Sequence, residues 1–216
     1  MAQKVHVGII LDRSGSMEDC RADAVGAVNS YLRQLKDDKD MEASVSLITF
    51  DSQSIDVIRD GVPAGSCAEL GIDEFQPRSM TPLLDAVAHG VGVLDKRKEA
   101  DARCVLAVMT DGLENASREH TKESVKALLD RKQKEEGWLV LYLGADHNAW
   151  EQAHGLGLRA GNVAAFDKGA MLASISSAGS RLKRYAMAKD AAKEAESGGF
   201  TDAERSGMRR SSRKKH

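Results

Sequence analysis

Apolar and polar positions recur along this chain in two rhythms that take turns. Val5-His6-Val7-Gly8-Ile9-Ile10-Leu11 is a short apolar run ending at Asp12, and it reads as a strand buried on both faces. From about Asp19 to Leu35, the residues Ala24, Val25, Val28, Tyr31, Leu32 and Leu35 return at intervals of three and four, the stripe of an amphipathic helix. Ala43–Phe50 and Ser54–Arg59 are β-rich and only Asp51-Ser52-Gln53 separates them, which predicts an antiparallel hairpin. Gly61–Pro77 predicts loop, with a short helical turn near Ala68–Leu70. A helix opens at Thr81-Pro82, with Thr81 as N-cap and the proline where a helix needs no donor. Its inner face is Leu83, Leu84, Val87, Val91 and Leu94. Cys104–Met109 is the most uninterrupted strand and runs into Thr110-Asp111-Gly112. A helix over Thr121–Glu135, a strand over Trp138–Leu143, a short helix near Asn148–His154 and a short strand near Asn162–Phe166 follow. An Ala-rich helix closes the pattern from about Lys168 to Glu196.

Strands alternating with crossover helices predict an α/β fold: doubly wound, with a mostly parallel central sheet, one antiparallel edge strand and helices on both faces. One domain spans residues 1–196, and residues 197–216 form a basic tail. Apolar runs stay shorter than ten residues, so no membrane span is predicted. Met1–Lys4 leads straight into the strand pattern rather than a secretory apolar core, so no signal peptide is expected.

Charge adds an asymmetry. The net charge is −2, but residues 205–216 hold six of the 31 Lys and Arg and no acid, leaving a body with 25 bases against 33 acids. An acidic body with few aromatic rings is a poor surface for nucleic acid. The tail reads as a solvated end, with weak electrostatic contact to RNA, a membrane or the acidic body as the alternative. Cys20, Cys67 and Cys104 form no CxxC pattern, which fits a reducing, cytoplasmic setting.

In an open α/β sheet, ligands lie beyond the carboxyl ends of the strands, where strand order reverses. Three loops reach that edge: Asp12-Arg13-Ser14-Gly15-Ser16-Met17, Ser79-Met80-Thr81-Pro82-Leu83 and Thr110-Asp111-Gly112. They bring two carboxylates and three hydroxyls, an all-oxygen set that suits a hard cation, above all Mg²⁺. Gly15 and Gly112 permit tight backbone paths there.

Asp12-x-Ser14-x-Ser16, Thr81 and Asp111, each at its strand end and in this order, resemble the metal-ion-dependent adhesion site of the von Willebrand factor A (VWA) domain family. Met17 after the first loop, Thr81-Pro82-Leu83 opening a helix and Phe50-Asp51 closing the second strand resemble the family as well. The resemblance covers roughly residues 4–166, and the later helix is similar to the extension of stand-alone prokaryotic or phage-type members. It implies that Asp12, Ser14, Ser16, Thr81 and Asp111 hold Mg²⁺, with Mn²⁺ or Ca²⁺ as substitutes, the two aspartates acting directly or through water. Neutral hydroxyls would leave the ion much of its charge and an open position for an Asp or Glu of a protein partner. The implied partner classes are an AAA-type ATPase, a kinase or a phosphatase.

Other readings stand beside this one. Ser14, Ser16 and Thr81 could serve turns and caps alone. The same cation could activate water against a phosphoester, with Glu18, Asp19 or Glu114 nearby; His6, His89, His120 and His147 fall outside the three loops. A third reading is a metal-independent scaffold working through the acidic body and basic tail. Gly155-Leu-Gly157-Leu-Arg-Ala-Gly161 is one residue too long for a dinucleotide loop and reads as a helix stop and turn. Ser180-x-x-Lys183 is a coincidence of spacing.

Overall fold

The computed structural model describes residues 2–97, 99, 101–145, 148–166 and 170–208, apart from the side chains of residues 145, 148 and 149. Six strands form one sheet: β1 (Gln3–Asp12), β2 (Met41–Phe50), β3 (Ile55–Pro63), β4 (Arg103–Thr110), β5 (Leu139–Ala145) and β6 (Val163–Phe166). Their spatial order is β3-β2-β1-β4-β5-β6, with β3 antiparallel to β2 and every other pairing parallel. Among the described residues seven α-helices surround it: α1 (Arg21–Asp37), α2 (Leu83–Arg97), α3 (Lys122–Lys134), α4 (Asn148–Gly155), α5 (Met171–Met187), α6 (Ala191–Ser197) and α7 (Asp202–Met208).

β1 is central, and it is fully buried from Val7 to Asp12 because that stretch has no solvent face. Val5, Val7, Ile9 and Leu11 pack with residues of α1 and α5 on one side, while Ile10 packs with α2 on the other. α2 lies close against β1 because Gly90 has no side chain: a Cβ there would sit 2.5 Å from Ile10 Cδ1. Residues of α2, α3 and α4 complete the second core, and residues of α5, α6 and α7 share the first with α1. Among the described residues no helix is long and apolar enough to cross a membrane.

The α/β doubly wound architecture, with its single antiparallel edge strand, is as the sequence predicts. Local expectations change, the first of them between Gly61 and Pro77, where 3₁₀ turns form at Ala64–Ser66 and Ile72–Glu74 and none at Ala68–Leu70. The chain after Ser14 makes a 3₁₀ helix over Gly15–Cys20, with the Met17 amide on the Ser14 carbonyl, before α1 begins. The closing helix breaks at Ala188, whose extended backbone (ψ 141°) separates α5 from α6; Lys168 lies outside the described residues.

The packed body also extends past Glu196. Phe200 and Met208 are buried in the α1–α5 core, and the Phe200 amide donates to the Gly161 carbonyl at 2.8 Å. Buried Arg181 binds the Glu194 carboxylate at 2.8 Å and its carbonyl at 2.7 Å. Arg184 forks onto Glu204, and Arg205 donates to the carbonyls of Ala160, Gly161 and Val163. Arginines that a charge count assigns to the surface here clamp backbone. The tail expected at 197–216 therefore shrinks, and residues 209–216, with most of its basic charge, lie outside the described residues.

Candidate metal centre

β1 and β4 are neighbours, and the chain leaves β1 toward β2 on one side but enters β4 from the other. The strand order therefore reverses between their carboxyl ends. Asp12 ends β1 and Thr110 ends β4, and Thr110 Oγ1 donates to Asp12 Oδ2 at 2.5 Å. The Ser14 amide donates to Asp12 Oδ1 at 2.7 Å. Ser14 Oγ lies 3.1 Å from Ser16 Oγ, and Ser16 Oγ donates to Asp111 Oδ1 at 2.5 Å. Thr81 enters from the loop before α2. Its hydroxyl borders Gly112, where a Cβ would lie 2.7 Å from Thr81 Oγ1, 3.3 Å from Asp12 Oδ2 and 3.5 Å from Ser14 Oγ. All five residues singled out in the sequence thus converge on one place.

Burial is graded across the set. Asp12, Ser14 and Thr81 are buried, Asp111 is partly covered and Ser16 is exposed, so the cluster has a dry floor and a wet mouth. Burial pushes the Asp12 carboxyl up to about 6, against the pull of its hydrogen bonds from Thr110 and Ser14, and the negative Asp111 adds to the rise. Two carboxylates crowded in a dry place are costly unless a positive charge joins them.

The donor chemistry fits a hard divalent cation: hydroxyl and carboxylate oxygens, and no nitrogen or sulfur. The bare Cα of Gly112 also fits, because a side chain there would fill the space that three of the oxygens border. Asp12, Ser14, Ser16, Thr81 and Asp111 would hold the ion, and Gly112 would leave it room.

The loops are braced from behind by two arginines that carried no signal in the sequence, both gathered on Asp51. Arg13, the unremarked x of Asp-x-Ser, turns inward: its Nε donates to Asp51 Oδ2 at 2.8 Å and one Nη reaches Ser54 Oγ and Asp56 Oδ2. Arg78 donates to the same Asp51 oxygen at 2.9 Å. Burial works to raise the Asp51 carboxyl, but the Gln53 amide, Arg78 and Arg13 outweigh it and hold it below the usual carboxylate range. Ser79 sits at φ +63°, a left-handed backbone that costs a β-carbon residue about 1 kcal/mol. It is held there by the Gly15 amide on its carbonyl and by a hydroxyl contact with Ser52. That bend delivers Met80 and Thr81 to the site.

Thr81 does not cap α2 as the sequence suggests. The Leu84 and Asp85 amides take Glu114 and Ser117 instead, while the Thr81 backbone pairs with Asn115 in both directions. A cap supplied from the loop after β4 leaves the Thr81 hydroxyl facing Gly112. Glu114, weighed above as a base, accepts four hydrogen bonds, from the amides of Leu84, Ala116 and Ser117 and the Ser117 hydroxyl. Gln152 of α4 holds the same loop, donating to the Gly112 carbonyl at 3.0 Å and accepting from the Glu114 amide at 2.8 Å. Glu18 and Asp19 are exposed. His6 lies toward the opposite end of β1 against Ser44, His120 approaches Asp85, and His147 lies outside the described residues. Gly157 takes φ +73° just after α4, and the Gly161 carbonyl receives Phe200 and Arg205, so the glycine-rich segment is a turn and a docking strip.

No protein-family model and no curated protein matches this sequence. Solved structures do match its fold. A von Willebrand factor type A protein from Catenulispora acidiphila aligns with a TM-score of 0.65 at 15% identity, over 84% of this chain and 43% of that one. The vWF domain of the type V pili tip protein Mfa5 from Porphyromonas gingivalis gives 0.65 at 9% identity, over 88% and 98%. The manganese-loaded TRAP protein of Plasmodium vivax gives 0.56 at 16% identity, over 79% and 71%. This chain thus spans under half of the Catenulispora protein and nearly all of the Mfa5 domain. At these identities the likeness is one of fold, and the fold is that of a VWA domain.

Proposed function

We propose that this chain is a binding module that holds Mg²⁺ through Asp12, Ser14, Ser16, Thr81 and Asp111 and uses the ion to grip a carboxylate of a protein partner. Mn²⁺ or Ca²⁺ could take the same oxygens. The observation that carries the reading is the space at Gly112, bordered by oxygens of Thr81, Asp12 and Ser14 from two other loops. The three hydroxyls add no negative charge, so the two carboxylates balance the ion without exceeding it, and the exposed Ser16 side gives an acidic partner a way in. The ion would supply Lewis acidity toward that carboxylate; the chain supplies the oxygens, the dry floor under Asp12 and the braced loops.

A binding role is favoured over hydrolysis because Glu114, the nearest acid along the chain after Asp111, is engaged by four donors. The solved VWA neighbours include a pilus tip protein and a pilus adhesin, which supports protein binding in general terms. Cys20, Cys67 and Cys104 form no CxxC pattern, which agrees with a reducing compartment such as the cytoplasm. The test is calorimetry with Mg²⁺, followed by affinity capture in Mg²⁺ and in EDTA. Heat on Mg²⁺ addition and a partner retained only with the ion are expected; the absence of both in wild-type protein would sink the reading.

A further inference from the structure

A second cluster of reactive side chains lies toward the amino end of the sheet, about 20 Å along β1 from Asp12. His6 and Ser44 stand opposite each other in the parallel register of β1 and β2. Alternation puts His6 on the same face of β1 as Gly8 and Ile10, the side that α2 covers. His6 Nδ1 is in hydrogen-bond contact with Ser44 Oγ, and the histidine side chain is only 12% exposed. Its other nitrogen, Nε2, is buried without a hydrogen-bond partner among the described residues, and Glu99 Oε1 stands 4.0 Å from it. Glu99 is held in turn by Lys4, whose ammonium donates to Oε2 at 2.8 Å. Hydroxyl, imidazole and carboxylate thus follow one another in the order that activates a serine nucleophile.

All three border a cavity of about 260 Å³, together with Lys4, Glu42 and Arg97. Two cations face two carboxylates there, so the cavity is balanced in charge, and its small size suits a short acyl group. Packing alone does not account for His6. Val5 and Val7 beside it fill the sheet with apolar carbon, whereas a buried nitrogen without a partner is destabilising. We propose that Ser44 is the nucleophile of a small esterase site, with His6 as its base and Glu99 as the counter-charge of the imidazolium. The substrate is an uncharged ester of a short carboxylic acid. Ser44 Oγ bonds to the acyl carbon while its proton passes to His6 Nδ1. The ester C–O bond then breaks, and His6 gives that proton to the leaving alcohol. Water next attacks the acyl-serine and yields a proton to His6. The acyl C–Oγ bond breaks, the proton returns to Ser44, and the carboxylic acid departs. Lys4 and Arg97 supply positive charge for the tetrahedral oxygen. Every step uses only the ester, water and these side chains, so the site works independently of the cation cluster.

The test incubates the full chain with p-nitrophenyl acetate, once in Mg²⁺ and once in EDTA. Release of p-nitrophenolate gives the rate, and mass spectrometry of the tryptic peptide spanning residues 40–59 locates the acetyl group. Release beyond one equivalent per chain and an acetyl on Ser44 are expected, both unchanged by EDTA. His6→Gln keeps an acceptor for the Ser44 hydroxyl but no base, and should slow both at least about 100-fold. Ser44→Ala should remove the acetyl and most of the release, while Glu99→Gln should lower the rate and leave the acetyl on Ser44. Melting curves taken in parallel establish that each variant is folded. Wild-type protein without acetyl on Ser44 overturns the proposal. So does release that stops at one equivalent, that is lost in EDTA, or that Ser44→Ala leaves unchanged. Should His6→Gln fail to fold, the wild type and Ser44→Ala decide alone.

Discussion

Gly112 and Thr81 meet across two loops so closely that the glycine's missing Cβ would stand 2.7 Å from the threonine hydroxyl oxygen. The contact joins the end of β4 to the start of α2 at the point where the cluster needs open space. Gly112 is not among the glycines with positive φ, so its backbone tolerates a side chain and only the space does not. Gly112→Ala is therefore expected to fold and to melt within a few degrees of wild type in EDTA, yet to lose Mg²⁺ heat in calorimetry. Wild-type Mg²⁺ affinity in that variant would show that the ion does not sit there.

Asp12→Asn separates the fold from the ion. The amide oxygen can still accept from the Ser14 amide, the amide nitrogen in the other position can donate to the Thr110 hydroxyl, and the burial that penalises the charged carboxyl no longer matters. Metal-free stability should stay within about 1 kcal/mol of wild type. The extra melting temperature that saturating Mg²⁺ gives to the wild-type protein should vanish. Thermal unfolding in EDTA and in Mg²⁺ checks both halves.

Arg13→Ala tests the brace. It removes the guanidinium that links Asp51, Ser54 and Asp56 and leaves buried Asp51 with Arg78 as its one charged donor beside the Gln53 and Ser54 amides. Breaking a buried pair from one side costs about 3 kcal/mol at the low end of the usual range. Arg13→Lys should recover only part of this, because one ammonium cannot reach all three partners. Urea unfolding midpoints measure the loss, and an unchanged midpoint in Arg13→Ala would mean that the network holds nothing.

Acid should loosen α7 before the rest of the domain. Burial works against the Glu204 carboxylate, but the Arg184 fork and the Thr201 amide prevail and hold its carboxyl below the ordinary glutamate value. A lowered folded pKa means that the contact contributes in full above the unfolded value near 4.3, and that the contribution is lost as pH falls through that value and below. Amide exchange over Asp202–Met208, corrected for intrinsic rates, should show steady protection from pH 7 to 5 and a decline below 4. In Glu204→Gln the protection should be weak and independent of pH across the same range.

Much of the fold is legible because its signals are local. Leu11-Asp12 and Met109-Thr110 show apolar runs stopping at polar residues, and the alternation of strands with helices orders the rest. The five oxygen donors are legible for the same reason, each standing at a strand or helix end. What escapes is whatever depends on distant partners. Nothing near Arg13 marks it as buried, because its acids lie some forty residues on. The Thr81 sequence is a good N-cap, and only the fold shows Glu114 and Ser117 taking that task. Phe200 and Met208 lie too far apart to make a periodic stripe, and the tie of Arg205, between them, to the Val163 carbonyl at the sheet's edge is not readable from local pattern.

Arg205 has one more consequence. By binding the Val163 carbonyl, and those of Ala160 and Gly161 just before it, Arg205 covers the start of the border strand β6 and takes one acceptor that an added strand would use. The opposite border, β3, is interrupted by register shifts between Val45 and Ile48 in its pairing with β2. Each margin of the sheet is thus an irregular template for an added strand, capped by a side chain at one border and kinked at the other.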